Sequence, residues 1–203
     1  MLQSLALLTA EESRTADEAA IDTGTSGETL MENAGKAVAA LVTQEYKASP
    51  VLIVCGTGNN GGDGFVVARL LREQGWTVTL SVVGDEAQIK DDAKAAKTKW
   101  TATGGTITPF SAELVTKAEL VIDAMFGTGI ARDIDGAAKD AIIAINAGKK
   151  LCGPLAWRDR PDFTCFQAGS EVAAIAKGVA AELGPLANTQ GKVEVGPLAS
   201  PKK

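Results

Sequence analysis

The chain contains no histidine. Ser-His-Asp and Cys-His nucleophilic systems are therefore excluded, as are histidine-ligated metal sites. Any acid–base work falls to Asp, Glu, Lys, Tyr or Cys. Cysteine is scarce: Cys55, Cys152 and Cys165 are widely spaced and form no C-x-x-C pair. That argues against a zinc ribbon or a disulfide framework and for a reducing compartment. Basic residues never gather in a block, and the net charge is −5. Nucleic acid and anionic membranes are accordingly poor candidates as partners. No apolar run reaches the length of a bilayer span. The N-terminal MLQSLALLTAEESR lacks a basic n-region and a small-residue cleavage pattern, so a cytoplasmic protein is expected. No G-K-[ST] follows either glycine turn, which rules out a Walker P-loop.

What the chain does have is glycine in the right places. Val51 to Cys55 is an apolar run that enters GTGNNGGDG, and an apolar, arginine-containing stretch, Phe65 to Leu71, follows at once. A buried strand, a tight loop and a helix from about Gly64 to Gln74 are predicted, with Gly75 as the residue after the helix. Gly56, Gly58 and Gly61 read formally as G-x-G-x-x-G, a weak nucleotide signal alone. Asp63 makes the loop unusual, because a carboxylate repels the pyrophosphate of an ordinary dinucleotide. It either favours the positive helix N-terminus, worth about 0.5–2 kcal/mol, or accepts hydrogen bonds from a ligand.

The remaining pattern alternates. Thr9 and Glu12 form a capping box before a helix to about Asp22. A second helix from near Ser26 places Leu30, Ala34, Val38 and Leu41 on one face, with Asn33 beside that stripe. Thr77 to Val83 is a strand by its β-branched content. Asp85 and Gln88 cap a helix bearing Ile89, Ala93, Ala96 and Trp100; that capping role outweighs a ribose-binding role for Asp85. Thr106 to Thr108 reads as a short strand and Ser111 as a helix start. Leu120 to Ala124 is a third central strand, and a helix carrying Ala137, Ala141 and Ile145 ends near Gly148. Ser170 to Leu183 reads as an alanine-rich helix, and Lys192 to Val195 as an edge strand. The sum is one α/β domain over residues 1–203, a mainly parallel sheet with helices on both faces.

In open α/β sheets ligands sit beyond the carboxyl ends of strands, where the strand order reverses. Two glycine turns follow such ends. Asp123, closing an apolar strand, must find a cation or several donors. It either bonds the N–H groups of the turn after it or, with Asn59 or Asn60, forms an oxygen-rich site for a hard ion. Gly127-Thr128-Gly129, with Arg132, is either a plain turn or a phosphate cradle of backbone N–H groups and a forked cation.

Together LLTAEESRTADEAAI, LMENAG, VCGTGNNGGDGFVVARLL and LVIDAMFGTGIARDIDG resemble the N-terminal YjeF domain, the NAD(P)HX epimerase family, over residues 5–148. The resemblance implies a three-layer Rossmann-like fold, a homodimer, and interconversion of the R and S hydrates of NADH or NADPH at C6 of the nicotinamide ring. A separate dehydratase would then restore the cofactor. It implies that Asn59, Asn60, Gly61, Gly62 and Asp63 contact the damaged cofactor, with Asp63 as the candidate acid. Gly127, Thr128, Gly129, Ile130, Ala131, Arg132 and Asp133 would hold its phosphate part, and Asn60 and Asp123 a potassium ion.

The family continues with a D-[IL]-P-S-G motif whose aspartate contacts the ring and whose serine completes the potassium site. Here residues 151–162 read LCGPLAWRDRPD. Residues 151–190 are thus divergent or frame-altered, the family pattern returning at GKVEVGPLASP. Coding DNA with no alternative frame for the motif would dismiss the second option. The loss leaves an alternative function, a catalytically impaired nucleotide-binding or protein-interaction module of the same fold. An ordinary dehydrogenase is disfavoured by the missing histidine and Tyr-Lys pair.

Overall fold

Val51 to Cys55 are all at most 1% exposed, as a strand covered on both faces by helices must be. The computed structural model describes residues 10–127, 133–148 and 151–152. In chain order they form α1 (Ala10–Asp22), α2 (Gly27–Glu45), β1 (Pro50–Cys55), α3 (Asn59–Glu73), β2 (Thr77–Val82), a 3₁₀ turn (Glu86–Gln88), α4 (Asp91–Ala102), α5 (Ala112–Lys117), β3 (Leu120–Ala124), α6 (Gly136–Ala147) and β4 (Leu151–Cys152). The strands run parallel in the order β2-β1-β3-β4. The chain therefore leaves β1 in one direction to reach β2 and returns past it to β3, so the strand order reverses beside β1.

The pleat divides the core in two. Val51, Ile53 and Cys55 face Phe65, Leu71 and Trp100 of α3 and α4. Leu52 and Val54 face the other way, toward Val115 of α5 and Ala141 and Ile145 of α6. Arg69 of α3 pairs with Glu32 of α2 and with Glu73, and Lys99 of α4 with Glu28 at 2.7 Å, tying the outer helices together. These pairs are partly exposed and add little stability each. The apolar layers carry the fold.

Most elements fall where the patterns placed them, and Gly75 has the positive φ (84°) of a residue closing a helix. Asn33 faces solvent. Several boundaries differ. The buried face of α2 is Met31, Gly35, Val38 and Val42, and Leu30 and Ala34 are only half-buried. Ala39 and Leu41 are buried too, which widens that face. The Asp85 cap closes only the 3₁₀ turn, its carboxylate accepting from the Ala87 N–H. The backbone then breaks at the first residue of α4, Asp91, whose φ is 47°. Thr106 to Thr108 form no strand, with Thr108 N–H donating to the Leu80 carbonyl. Leu151–Cys152, at the start of the stretch read as divergent, pairs with β3 as β4. Thr9, the turn residues 128–132, the Ser170 to Leu183 helix and the Lys192 to Val195 strand lie outside the described residues.

The largest difference is in α3. It starts at Asn59, five residues before the expected Gly64, so Asn59-Asn60-Gly61-Gly62-Asp63 are helix and not loop. Gly58 supplies the extended N-cap. A Cβ on Gly61 would stand 2.0 Å from the Gly56 carbonyl oxygen, and one on Gly64 would stand 2.6 Å from Cys55 Sγ. The glycines let the first turns of the helix lie directly on the end of β1, where any side chain would hold them off.

Candidate functional site

A cavity of about 940 Å³ opens where the strand order reverses, within the size range of small-ligand pockets. Its floor is the β1–α3 connection, Gly56 to Asn60. One wall is Met125 to Gly127 after β3 and another is the start of α6, Asp133 to Ala138. Val83 and Gly84 after β2 close a third side. Gly127 packs on Asn60: a Cβ there would be 3.6 Å from Asn60 Cβ.

Asn60 lies in the first turn of α3, with its side chain beside Gly127. It is 9% exposed, and neither Oδ1 nor Nδ2 has a hydrogen-bond partner among the described residues. A buried amide left unpaired costs about 1–3 kcal/mol, so an unpaired one on a cavity points to a ligand that pairs it. Asp123 is 4% exposed, and its Oδ1 accepts the Met125 N–H at 2.9 Å. The turn after β3 therefore does satisfy part of this carboxylate.

Asp63 behaves differently. It sits in the second turn of α3 and does not line the cavity. Burial pushes its carboxyl up to about 8, and the Asp17 carboxylate of α1 adds to the rise. Asp63 and Asp123 in turn help push the buried Cys55 thiol up, beyond the larger effect of burial itself. Cys55 is thus a neutral core residue, not a nucleophile.

Asp63 makes stability depend on pH. Unfolded, it ionises in the ordinary carboxylate range; folded, it holds its proton to about pH 8. Its contribution is complete below the ordinary range and is lost as pH rises toward 8, because unfolding then releases a proton. Asp63→Asn should therefore melt about 5 °C above wild type at pH 8, with the gap closing below pH 4. A gap independent of pH in calorimetry would refute the assignment.

Of the residues singled out from sequence, the structure brings Asn59, Asn60, Gly127 and Asp133 to one cavity. Gly61, Gly62 and Asp63 do not line it; Gly61 meets the Gly56 carbonyl and Gly62 meets Met31. Thr128, Gly129, Ile130, Ala131 and Arg132 lie outside the described residues. Sequence reasoning missed Ser13, Arg14 and Asp17 of α1, which line the same cavity. A signal was available: none of the described side chains of α1 is fully buried, so this helix has no core face to explain its place.

A family model described as YjeF-related protein N-terminus matches residues 27–153, more than half of the chain. Over 140 residues the chain is 42% identical to an NAD(P)H-hydrate epimerase of Rhodobacter capsulatus, covering 64% of this chain and 66% of that protein. It is 38% identical over 156 residues to a bifunctional NAD(P)H-hydrate repair enzyme Nnr of Thermanaerovibrio acidaminovorans, covering 73% of this chain and 30% of that one. The chain thus spans just under two thirds of the first relative's length and under a third of the second's. The crystal structure of yeast ynu0, YNL200c, superposes with a TM-score of 0.62 at 22% identity, covering 71% of this chain and 66% of that one. With the reversed strand order, the glycine-packed α3 and this profile match in hand, the chain belongs to the family of YjeF-related protein N-termini.

Proposed function

We propose that the protein is an NAD(P)H-hydrate epimerase, an isomerase that interconverts the R and S forms of hydrated NADH or NADPH. The observation that carries this reading is the buried, unpaired Asn60 amide on a cavity where the strand order reverses. Relatives that carry the epimerase name support it. Epimerisation needs the C6 hydroxyl to leave as water and water to return on the other face of the ring. Loss of that water leaves a cationic ring, which negative groups stabilise. Asp17, Asp133 and Asp135 line the cavity, and Asp123 lies in β3, two residues before the Met125 to Gly127 wall. With no histidine in the chain, carboxylates are the groups suited to this role.

The same residues fit a potassium ion. Asn60 Oδ1 is a buried oxygen without a partner among the described residues, and Asp123 contributes a carboxylate near the end of the neighbouring strand. One amide oxygen and one carboxylate suit a hard cation. Among the described residues no cluster of three acidic or cysteine side chains offers a transition-metal site. Bound there, the ion would supply a fixed positive charge that anchors ligand oxygens. A homodimer in the cytoplasm, acting in sequence with an NAD(P)HX dehydratase, completes the reading. The bifunctional relatives support a coupled second activity. Among the described residues no helix is long and apolar enough to cross a membrane.

A second reading, a nucleotide-binding or protein-interaction module with impaired catalysis, is favoured by one observation, LCGPLAWRDRPD in place of D-[IL]-P-S-G. One assay separates the two. Purified protein should accelerate R-to-S exchange of NADHX above the spontaneous rate, more in potassium than in sodium buffer. Ligand binding with no acceleration would select the module instead.

A further inference from the structure

Helix α1 is the least explained element of the fold. It adds no fully buried side chain to the core, yet Ser13, Arg14 and Asp17 line the cavity. The charges around that cavity are uneven. Its described lining holds three carboxylates, Asp17, Asp133 and Asp135, and a single cation, Arg14. Among the described residues Arg14 makes no ion pair, although Asp17 follows it by three positions on the same helix. An arginine held on a cavity wall without a carboxylate partner has its five N–H donors available to a ligand.

Two helix N-termini reach the same cavity. The N-cap of α3 is Gly58, which has no side chain to cap with, and the N-cap of α6, Asp135, makes no side-chain capping bond. The first residues of both helices line the cavity, so the positive dipole ends of two helices, whose first N–H groups have no intrahelical partner, border it. Beside them lies the buried Asn60 amide, unpartnered among the described residues. That combination suits a ligand with phosphate groups for Arg14 and the helix ends. The carboxylates not engaged by the reacting ring can accept hydrogen bonds from hydroxyls of the same ligand. A nucleotide with ribose diols has both.

We propose that Arg14 is a phosphate-binding residue of this site, which makes α1 a wall of the ligand cavity. The proposal rests on the nucleotide reading above but not on epimerase activity. A forked guanidinium is the side chain best matched to phosphate oxygens, and its removal should weaken phosphate-bearing ligands while sparing those without phosphate.

The test uses the full chain and calorimetry with ADP-ribose as the probe. Arg14→Ala should weaken ADP-ribose at least tenfold, with a melting temperature within about 2 °C of wild type because the residue is exposed. Arg14→Lys, which keeps the charge but not the fork, should lose less. Inorganic pyrophosphate should compete with ADP-ribose on wild type and fail to compete on Arg14→Ala. In the epimerase assay, Arg14→Ala should raise KM for hydrated NADH and leave hydrated dihydronicotinamide riboside, which has no phosphate, unaffected. If wild type binds ADP-ribose through Arg14 but does not epimerise, the epimerase reading fails and this inference stands. Equal affinity of wild type and Arg14→Ala for ADP-ribose, or no binding by wild type, overturns it.

Discussion

Replacing Gly61 by alanine is expected to destabilise the protein by about 3 kcal/mol, a fall of roughly 10 °C in melting temperature. On helix propensity alone the sign would be opposite, because alanine improves a helix interior over glycine by about 1 kcal/mol. Packing reverses it. The new Cβ would stand 2.0 Å from the Gly56 carbonyl oxygen and 2.7 Å from its carbon, and these backbone atoms cannot rotate aside. Helix α3 would have to lift off β1, carrying Phe65 and Val67, both fully buried, out of register with the sheet. Gly58→Ala is the matched control: nothing lies within 4 Å of its added Cβ and its φ is −95°. Its melting temperature should stay close to wild type. Equal melting temperatures for the Gly61 and Gly58 variants would show that α3 does not seat on β1 in this way.

Asn60→Ala is expected to split stability from function. The wild-type amide is buried with both polar atoms unpaired among the described residues, so removing it relieves a desolvation cost and leaves the ligand-free protein equal to wild type or about 1 kcal/mol more stable. Activity should fall about a hundredfold or more, and any rise in melting temperature on replacing sodium by potassium should vanish. Few substitutions combine these signs. A purely structural asparagine would lose stability and activity together, and that joint loss, seen by thermal denaturation and rate assay, would remove Asn60 from the site. That split would mark the amide as stability given up for function.

Much of this is readable in the sequence. Val51 to Cys55 and Leu120 to Ala124 are continuous apolar runs bounded by glycine turns, which parallel strands buried on both faces require. The Ala93, Ala96, Trp100 spacing marked the buried side of α4. The two glycine turns after those strands, with Asn60 and Asp123 beside them, marked the ligand end of the sheet. These features are local, or recur with a fixed period, and one dimension is enough to carry them.

The start of α3 was not readable. NNGGDG has the composition of a loop, and only contact with Gly56, Cys55 and Met31 shows why glycine serves a helix there. Asp63 was singled out as a ligand-facing acid, but its setting comes from burial and from Asp17, 46 positions earlier in the chain. The part played by α1 was hidden for the same reason, since Arg14 meets the cavity only once the chain has folded back over the sheet. By itself the sequence determined the layers, the strands and the end of the sheet where chemistry belongs, because side-chain period and glycine placement dictate these. Tertiary structure alone decided which glycines pack and which acids are buried, and it brought Arg14 to the cavity. Those outcomes depend on distances between residues far apart in the chain.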